Sequence, residues 1–361
     1  MVSSVIVYNF LLFTCTMFSF LTKFVTQKSK ILLNTLTFLV LFVVAALRYN
    51  VGSDFEAYVR IFNNIDSFSF NQIEPIYYLF NKFLSAIGFT AQSIFVVMGG
   101  IAAFFAVKAS QKTKYPHLVI FSYVTLIYLN SLNAMRQEIA TTILLYALFL
   151  LMEGRNKQYI FLVLFSSGIH YVSILLLPFV FVNKIKFNRK SIFISLMLGI
   201  LFVRFGVINI LASTGILNGT KYVIYLNSEL YNRQTETGLA NIMILFSKHF
   251  SLLIPFFISK KQISPKLMKF KNTTLILNSC LLLFLIASID FYILHRLVSL
   301  FTIANIFSLL LLLESKIKTR QIWVLITTIL MLFYFENDIR ISQKNLPGKG
   351  ITPYVTIFEK N

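Results

Sequence analysis

The stretch LNSLNAMRQEIATTILLYALFLLM, Leu129–Met152, sets two asparagines, an arginine, a glutamine and a glutamate at the mouth of an unbroken apolar run. Read as a membrane helix with a polar end, it decides the fold class, because runs like it recur along the whole chain. Apolar stretches of about 15 to 22 residues, the length that crosses a bilayer core, follow one another from end to end. The 361 residues are 57% hydrophobic and 13% charged, with a mean hydropathy of +0.77. That composition excludes an ordinary soluble domain. The expected fold is all-α: one polytopic transmembrane domain over residues 1–361, with about twelve hydrophobic helices.

In a soluble protein the net charge of +20 would suggest nucleic acid. Here the basic residues cluster in short loops between apolar runs, which is the pattern of loops kept in the cytoplasm, so no nucleic-acid partner is expected. The loops are Lys23 to Lys30, Lys108 to Lys114, Arg155 with Lys157, Lys184 to Lys190, Lys260 to Lys271, and Lys316 to Arg320, and they hold most of the 33 lysines and arginines. The first segment, Met1 to Leu21, has its lysines after it and reads as a retained helix with an outward N-terminus. Cys15 and Cys280 lie inside apolar segments and suggest neither a disulfide framework nor a metal site.

If all six basic loops face the cytoplasm, two crossings must separate each neighbouring pair. The interval YIFLVLFSSGIHYVSILLLPFVFV, residues 159–182, is long enough for one crossing only. Two short helices meeting near Gly168, Ile169 and His170 resolve this, with the histidine at the apex of a hairpin; the alternative is one continuous helix that carries residues 183–190 outside. Broken backbone at membrane depth is tolerated where it lines a cavity or is buried in protein. The outward side then carries the irregular polar parts: a loop over 48–90, the turn at Asn130 to Gln137, a loop over 212–238, the turn at Asp290 to Arg296, and a tail over 336–361. Of the 13 acidic residues, only Glu153 and Glu314 fall away from that side.

Asn133, Arg136 and Gln137 share one helical face at the end of the run. Arginine there is costly unless paired or wetted, and snorkelling to headgroups is the simplest explanation. The two amides on the same face argue for a ligand instead, and a guanidinium flanked by amides suits a phosphate. In ALRYNVGSDFEAYVRIFNN, Gly52 permits a turn, and Asp54, Glu56, Tyr58 and Arg60 fit a short helix, with Glu56 and Arg60 as a solvated pair. NQIEPIYYLFNKFL reads as a surface helix started by Pro75, with Glu74 before it and its tyrosines in the headgroup belt. Asp290, His295 and Arg296 sit between two apolar runs, while Arg204, Lys248 and His249 lie within runs and are candidates by default. Phosphate loops, His-Glu metal motifs, regular arginine arrays and selectivity-filter sequences are absent. Arginines, one or two histidines and carboxylates on one face suit a phosphorylated lipid and a sugar. A lipid-linked oligosaccharide flippase or other transporter, and an envelope acyltransferase, are the competing classes.

LRYNVGSDFEAYVRIF, EPIYYLFN, NAMRQEIATTI and SSGIHYVSILLL, in that order and spacing, resemble the EpsG-type branch of the Wzy polysaccharide polymerases. The resemblance is clear over about residues 40 to 182; beyond it, LHRLVSLF and TPYVTIF are suggestive. It implies a GT-C-like, metal-independent glycosyltransferase of the bacterial cytoplasmic (inner) membrane, working without a cofactor at the outer face. Its substrate would be an undecaprenyl-diphosphate-linked oligosaccharide, polymerised for O-antigen, capsule or exopolysaccharide, with membrane lipids and a chain-length regulator protein as further partners. Another lipid-phosphate-dependent glycosyltransferase is the nearest alternative. The resemblance carries over to Arg48, Gly52, Asp54, Glu74, Pro75, Asn133, Arg136, Gln137 and His170. His170 and Asp54 are the expected catalytic residues, and Arg48, Glu74, Asn133, Arg136, Gln137 and Arg296 the expected diphosphate and substrate ligands.

Overall fold

The computed structural model describes residues 2–70, 72–184, 189–204, 239–264, 267–290, 294–343 and 348–359. The expected loop 212–238 lies outside the described residues. Among the described residues there are helices, turns and two isolated bridges, and no strands. Among the described residues seven helices are long and apolar enough to cross a membrane, and Tyr171–Val182 is a shorter apolar one. The chain belongs, on that evidence, to the polytopic membrane proteins; the expected total of about twelve hydrophobic helices, two of them short, is not reached among the described residues.

Two compact units divide the chain, one made of Met1–Val180 with Met331–Asn361, the other of Phe181–Leu330. In the first, α1 (Val2–Leu21), α2 (Gln27–Leu47), α5 (Gln92–Ser110), α8 (Met135–Met152) and α9 (Asn156–Ser167) form a bundle. α5 packs between α2 and α8, and α8 packs on α9. Small residues let the backbones approach: a Cβ on Gly99 would stand 3.0 Å from that of Ala45. α8 is buried on nearly every face, which is what a helix apolar all round requires. α1 and α2 bury far less and present Phe10, Phe13, Ile31 and Leu32 outward, as lipid-facing helices do. Between α5 and α8, α6 (Pro116–Tyr123) and α7 (Leu129–Ser131) are joined by a π-helix over Val124–Tyr128.

The segment 48–90 is largely ordered into the two short helices its sequence suggests, α3 (Phe55–Asn63) and α4 (Pro75–Ala86), the latter with Pro75 in its first turn. Helix α9 ends at Ser167, and a 3₁₀ helix begins at Tyr171, so the helix breaks where Gly168 and His170 stand. The 3₁₀ helix folds back along α9: Ser166 Oγ lies 2.9 Å from Ser173 Oγ, and the Tyr159 hydroxyl donates to the Leu176 carbonyl.

The C-terminal tail returns to the start of the chain. Tyr8 donates to the Ile351 carbonyl at 2.7 Å, Tyr354 to that of Val44 at 3.0 Å, and the Gly52 N–H to Gly350 at 2.8 Å. Tail and first loop thereby satisfy each other's backbone groups.

The second unit holds a buried core of Ile254, Ile258, Ile263, Leu311 and Leu312. His249 is buried in the same unit; its Nδ1 lies 2.9 Å from Asn305 Nδ2, and Ser251 donates to Asn305 Oδ1 at 2.8 Å. The histidine is thus accounted for by a packed polar network. The side chains of Arg204 and Asp290 lie outside the described residues.

Candidate functional site

Arg136 stands in the first turn of α8, at the polar mouth of the opening stretch. Glu74 precedes Pro75, a position that proline restricts to extended backbone, and its φ of −58° and ψ of 137° comply. The extended residue aims its carboxylate away from α4 and toward α8. Arg136 Nη1 meets Glu74 Oε2 at 2.5 Å. The other oxygen, Oε1, faces His170 Nδ1 at 3.5 Å, longer than a good hydrogen bond and within electrostatic reach. One carboxylate therefore bridges a guanidinium and an imidazole from two other segments of the chain.

The backbone builds this meeting. The first N–H groups of a helix lack partners within it, and those of Ile76 and Tyr77 donate to the Gly168 carbonyl at 2.8 and 3.1 Å. The break that ends α9 thus caps α4, bringing His170 beside Glu74. A Cβ on Gly168 would stand 2.5 Å from Ile76 Cγ1; its φ of −70° is ordinary, so space is what the glycine supplies. Ser166 donates to the Ala140 carbonyl at 3.0 Å and ties the break to the same end of α8.

The Glu74 side chain is 2% exposed, that of His170 15% and that of Arg136 25%. The carboxylate lies deepest and the Arg136 side chain is the most open of the three, while both ring nitrogens of His170 are buried. Arg136 lies over the rings of Tyr77 and Tyr58, at 5.1 and 5.9 Å from their centroids. Burial raises the pKa of both phenols, against the lowering pull of the Arg136 guanidinium; both stay protonated and can donate. Sequence reasoning missed these two tyrosines. Tyr77 was expected in a headgroup belt and is fully buried under Arg136 instead. Its signal was present: Tyr77 and Asn81 are four residues apart on one face of α4, and Asn81 Nδ2 bonds the Tyr77 carbonyl at 2.7 Å.

Asn133 builds a neighbouring corner. Its Oδ1 accepts from Ser53 Oγ at 2.8 Å and from the Asp54 N–H at 3.0 Å, holding Asp54 at the exposed start of α3. Gly52 makes the turn at a φ of +99°, and a Cβ there would meet the Leu132 carbonyl oxygen at 2.1 Å, so glycine is required twice over. Tyr58, on the next turn, feels the charges of Arg136, Asp54 and Arg48.

Arg48 is 2% exposed and turned inward. It donates to the Ser131 carbonyl at 3.1 Å, reaches Met135 Sδ at 3.4 Å, and lies over the Phe95 ring at 5.0 Å. Gln137 is buried within α8. Arg296 is exposed near the start of the helix His295–Phe301, in the second unit. Glu56 and Arg60 are both exposed on α3. No three His, Cys, Asp or Glu side chains converge among the described residues.

The EpsG family model matches residues 30–356, a stretch that contains Glu74, Arg136 and His170. Neither a curated protein nor a solved structure matches the chain.

Proposed function

The chain belongs to the EpsG family, whose membership supports a polysaccharide polymerase-like role, and on that premise we propose that it polymerises lipid-linked oligosaccharide repeat units at the Glu74, Arg136 and His170 cluster. The observation that carries this is the single carboxylate bridging an arginine and a histidine at the mouth of a membrane helix. The donor is the growing glycan on undecaprenyl diphosphate, and the acceptor is the non-reducing end of the next lipid-linked unit. The acceptor hydroxyl attacks the donor's anomeric carbon; the new C–O bond forms as the bond to the diphosphate breaks. His170 takes the hydroxyl proton on Nε2, while Glu74 beside Nδ1 orients the ring and stabilises the imidazolium that results.

The diphosphate leaves with negative charge. Arg136 holds Glu74 through one nitrogen, and its planar fork has further donors to offer the leaving oxygens, a role a metal fills elsewhere. Asp54, on the same rim and positioned by Asn133, is the second carboxylate available to an acceptor sugar. The site faces the outer side of the bacterial cytoplasmic membrane, and the product is a surface polysaccharide.

Glycan analysis of a strain lacking the protein tests the proposal. Single repeat units accumulating on lipid, with chain length restored by the intact protein, are the expected result. Repeat units trapped on the cytoplasmic side would instead identify a flippase.

A further inference from the structure

The first unit carries a second feature that the Glu74 site does not use: a groove of about 560 Å³ between α2 and α5. Gln92, at the start of α5, donates to the carbonyls of Ala46 and Arg48 at the end of α2, at 2.7 and 3.1 Å. The groove takes the opposite ends, the start of α2 and the close of α5. The 19 residues of α5 make it about 28 Å long, close to the thickness of the hydrocarbon core. Groove and candidate site therefore open at opposite membrane faces.

Lys30 and Lys108 stand on the groove's rim with the amides of Gln27 and Asn34, and Phe38 and Phe104 wall it. Neither lysine has a carboxylate partner among the described residues. Glu153, at the same end of the bundle, is held by Lys112 at 2.9 Å and by Arg155 at 3.7 Å. Lys108 rests over the Phe104 ring at 5.5 Å. Two ammonium groups share a cleft with no counter-charge, directly above an aromatic wall that runs into two membrane-crossing helices. The volume exceeds what a small inorganic anion fills, and an apolar wall offers such an anion nothing.

We propose that this groove binds an anionic phospholipid of the leaflet at that face. The phosphate sits between Lys30 and Lys108, which act as point charges. The polar headgroup meets the Gln27 and Asn34 amides, and an acyl chain lies along Phe38 and Phe104. The inference needs only that the bundle spans a membrane, so it stands or falls independently of the polymerase proposal.

Native mass spectrometry of the purified full chain, titrated with phosphatidylglycerol or phosphatidylcholine, tests it. The unaltered protein is expected to retain phosphatidylglycerol in preference by on the order of 10- to 30-fold, the yield of two lysines at an anionic headgroup. Lys30→Gln with Lys108→Gln should abolish the preference, and the same pair changed to arginine should keep it. Asn34→Trp, which fills the groove and leaves both charges, should abolish it as well, so the test survives misfolding of either variant. Lys316→Gln with Lys318→Gln, in another basic segment, should leave it intact. The proposal is overturned if the Lys30 and Lys108 glutamine pair keeps the preference, if the Lys316 and Lys318 pair loses it equally, or if millimolar inorganic phosphate displaces the lipid.

Discussion

The ion pair between Glu74 and Arg136 can be measured by a double-mutant cycle of Glu74→Gln, Arg136→Gln and the two together. A nitrogen–oxygen contact of 2.5 Å puts the charge centres about 4 Å apart, and two unit charges at that distance attract by about 4 kcal/mol at an effective dielectric near 20. The Arg136 side chain is 25% exposed, and screening by water leaves roughly half of this, about 2 kcal/mol. The two single variants are not equivalent. Glu74→Gln leaves a guanidinium that still lies over two phenol rings, whereas Arg136→Gln takes the charged partner from a carboxylate that is 2% exposed. Arg136→Gln is therefore the more damaging. The double variant strands nothing and should melt no lower than Arg136→Gln alone. The assay is thermal unfolding of the purified protein in detergent at one fixed scan rate, since unfolding of such proteins is often irreversible. For a coupling of about 2 kcal/mol in a chain of 361 residues, the double variant should melt about 2–4 °C above the additive expectation. Additive losses, agreeing within about 0.5 kcal/mol, would refute the coupling and leave the short contact without energetic meaning.

Arg136→Lys keeps the charge and loses the planar fork, so polymer yield should fall by roughly tenfold or more; normal chain length at normal expression would leave Arg136 a structural partner of Glu74 only. His170→Gln should leave the fold intact and cut polymerisation by roughly 100-fold or more, as loss of a general base does. A near-normal rate in that variant would move the base to Asp54, Glu74, Glu138 or Asp290. Gly168→Ala should cost about 1–3 kcal/mol by overpacking against Ile76, and Ile76→Ala in the same chain should recover most of the lost melting temperature; no recovery would mean the glycine serves something other than space. With Cys15 and Cys280 replaced, an impermeant thiol reagent should label cysteines at the exposed position 56 and at 290 from outside, and not those at 155 and 189. Labelling at 187 from outside would mean that residues 159–182 cross as a single helix.

Much of this architecture was legible in residue order. Apolar run length located the crossings, because a bilayer core demands one length of helix. Gly168 and His170, in an interval too short for two crossings, marked the break that ends α9. Pro75 marked the start of α4, and the spacing of Asp54 and Tyr58 marked α3. Each of these signals is local, acting through steric restriction, helical period or the solvation of a single segment. Arg136 could likewise be seen to need a polar partner, since an isolated charge at a membrane boundary is costly.

Which partner it has was decided only by the tertiary structure. Glu74 lies 62 residues before Arg136, and its carboxylate is aimed by an extended residue whose helix is capped by the carbonyl of Gly168, almost a hundred residues further on. No periodicity joins three segments so far apart. The same holds for Arg48, which sequence placed among the phosphate ligands and packing turned inward onto Ser131 and Phe95, and for the tail that closes on Tyr8. Local preference depends on neighbours within a few residues and is written in the order of the chain. Long-range pairing depends on which burials and hydrogen bonds can be satisfied together, and that is settled only when the helices have packed.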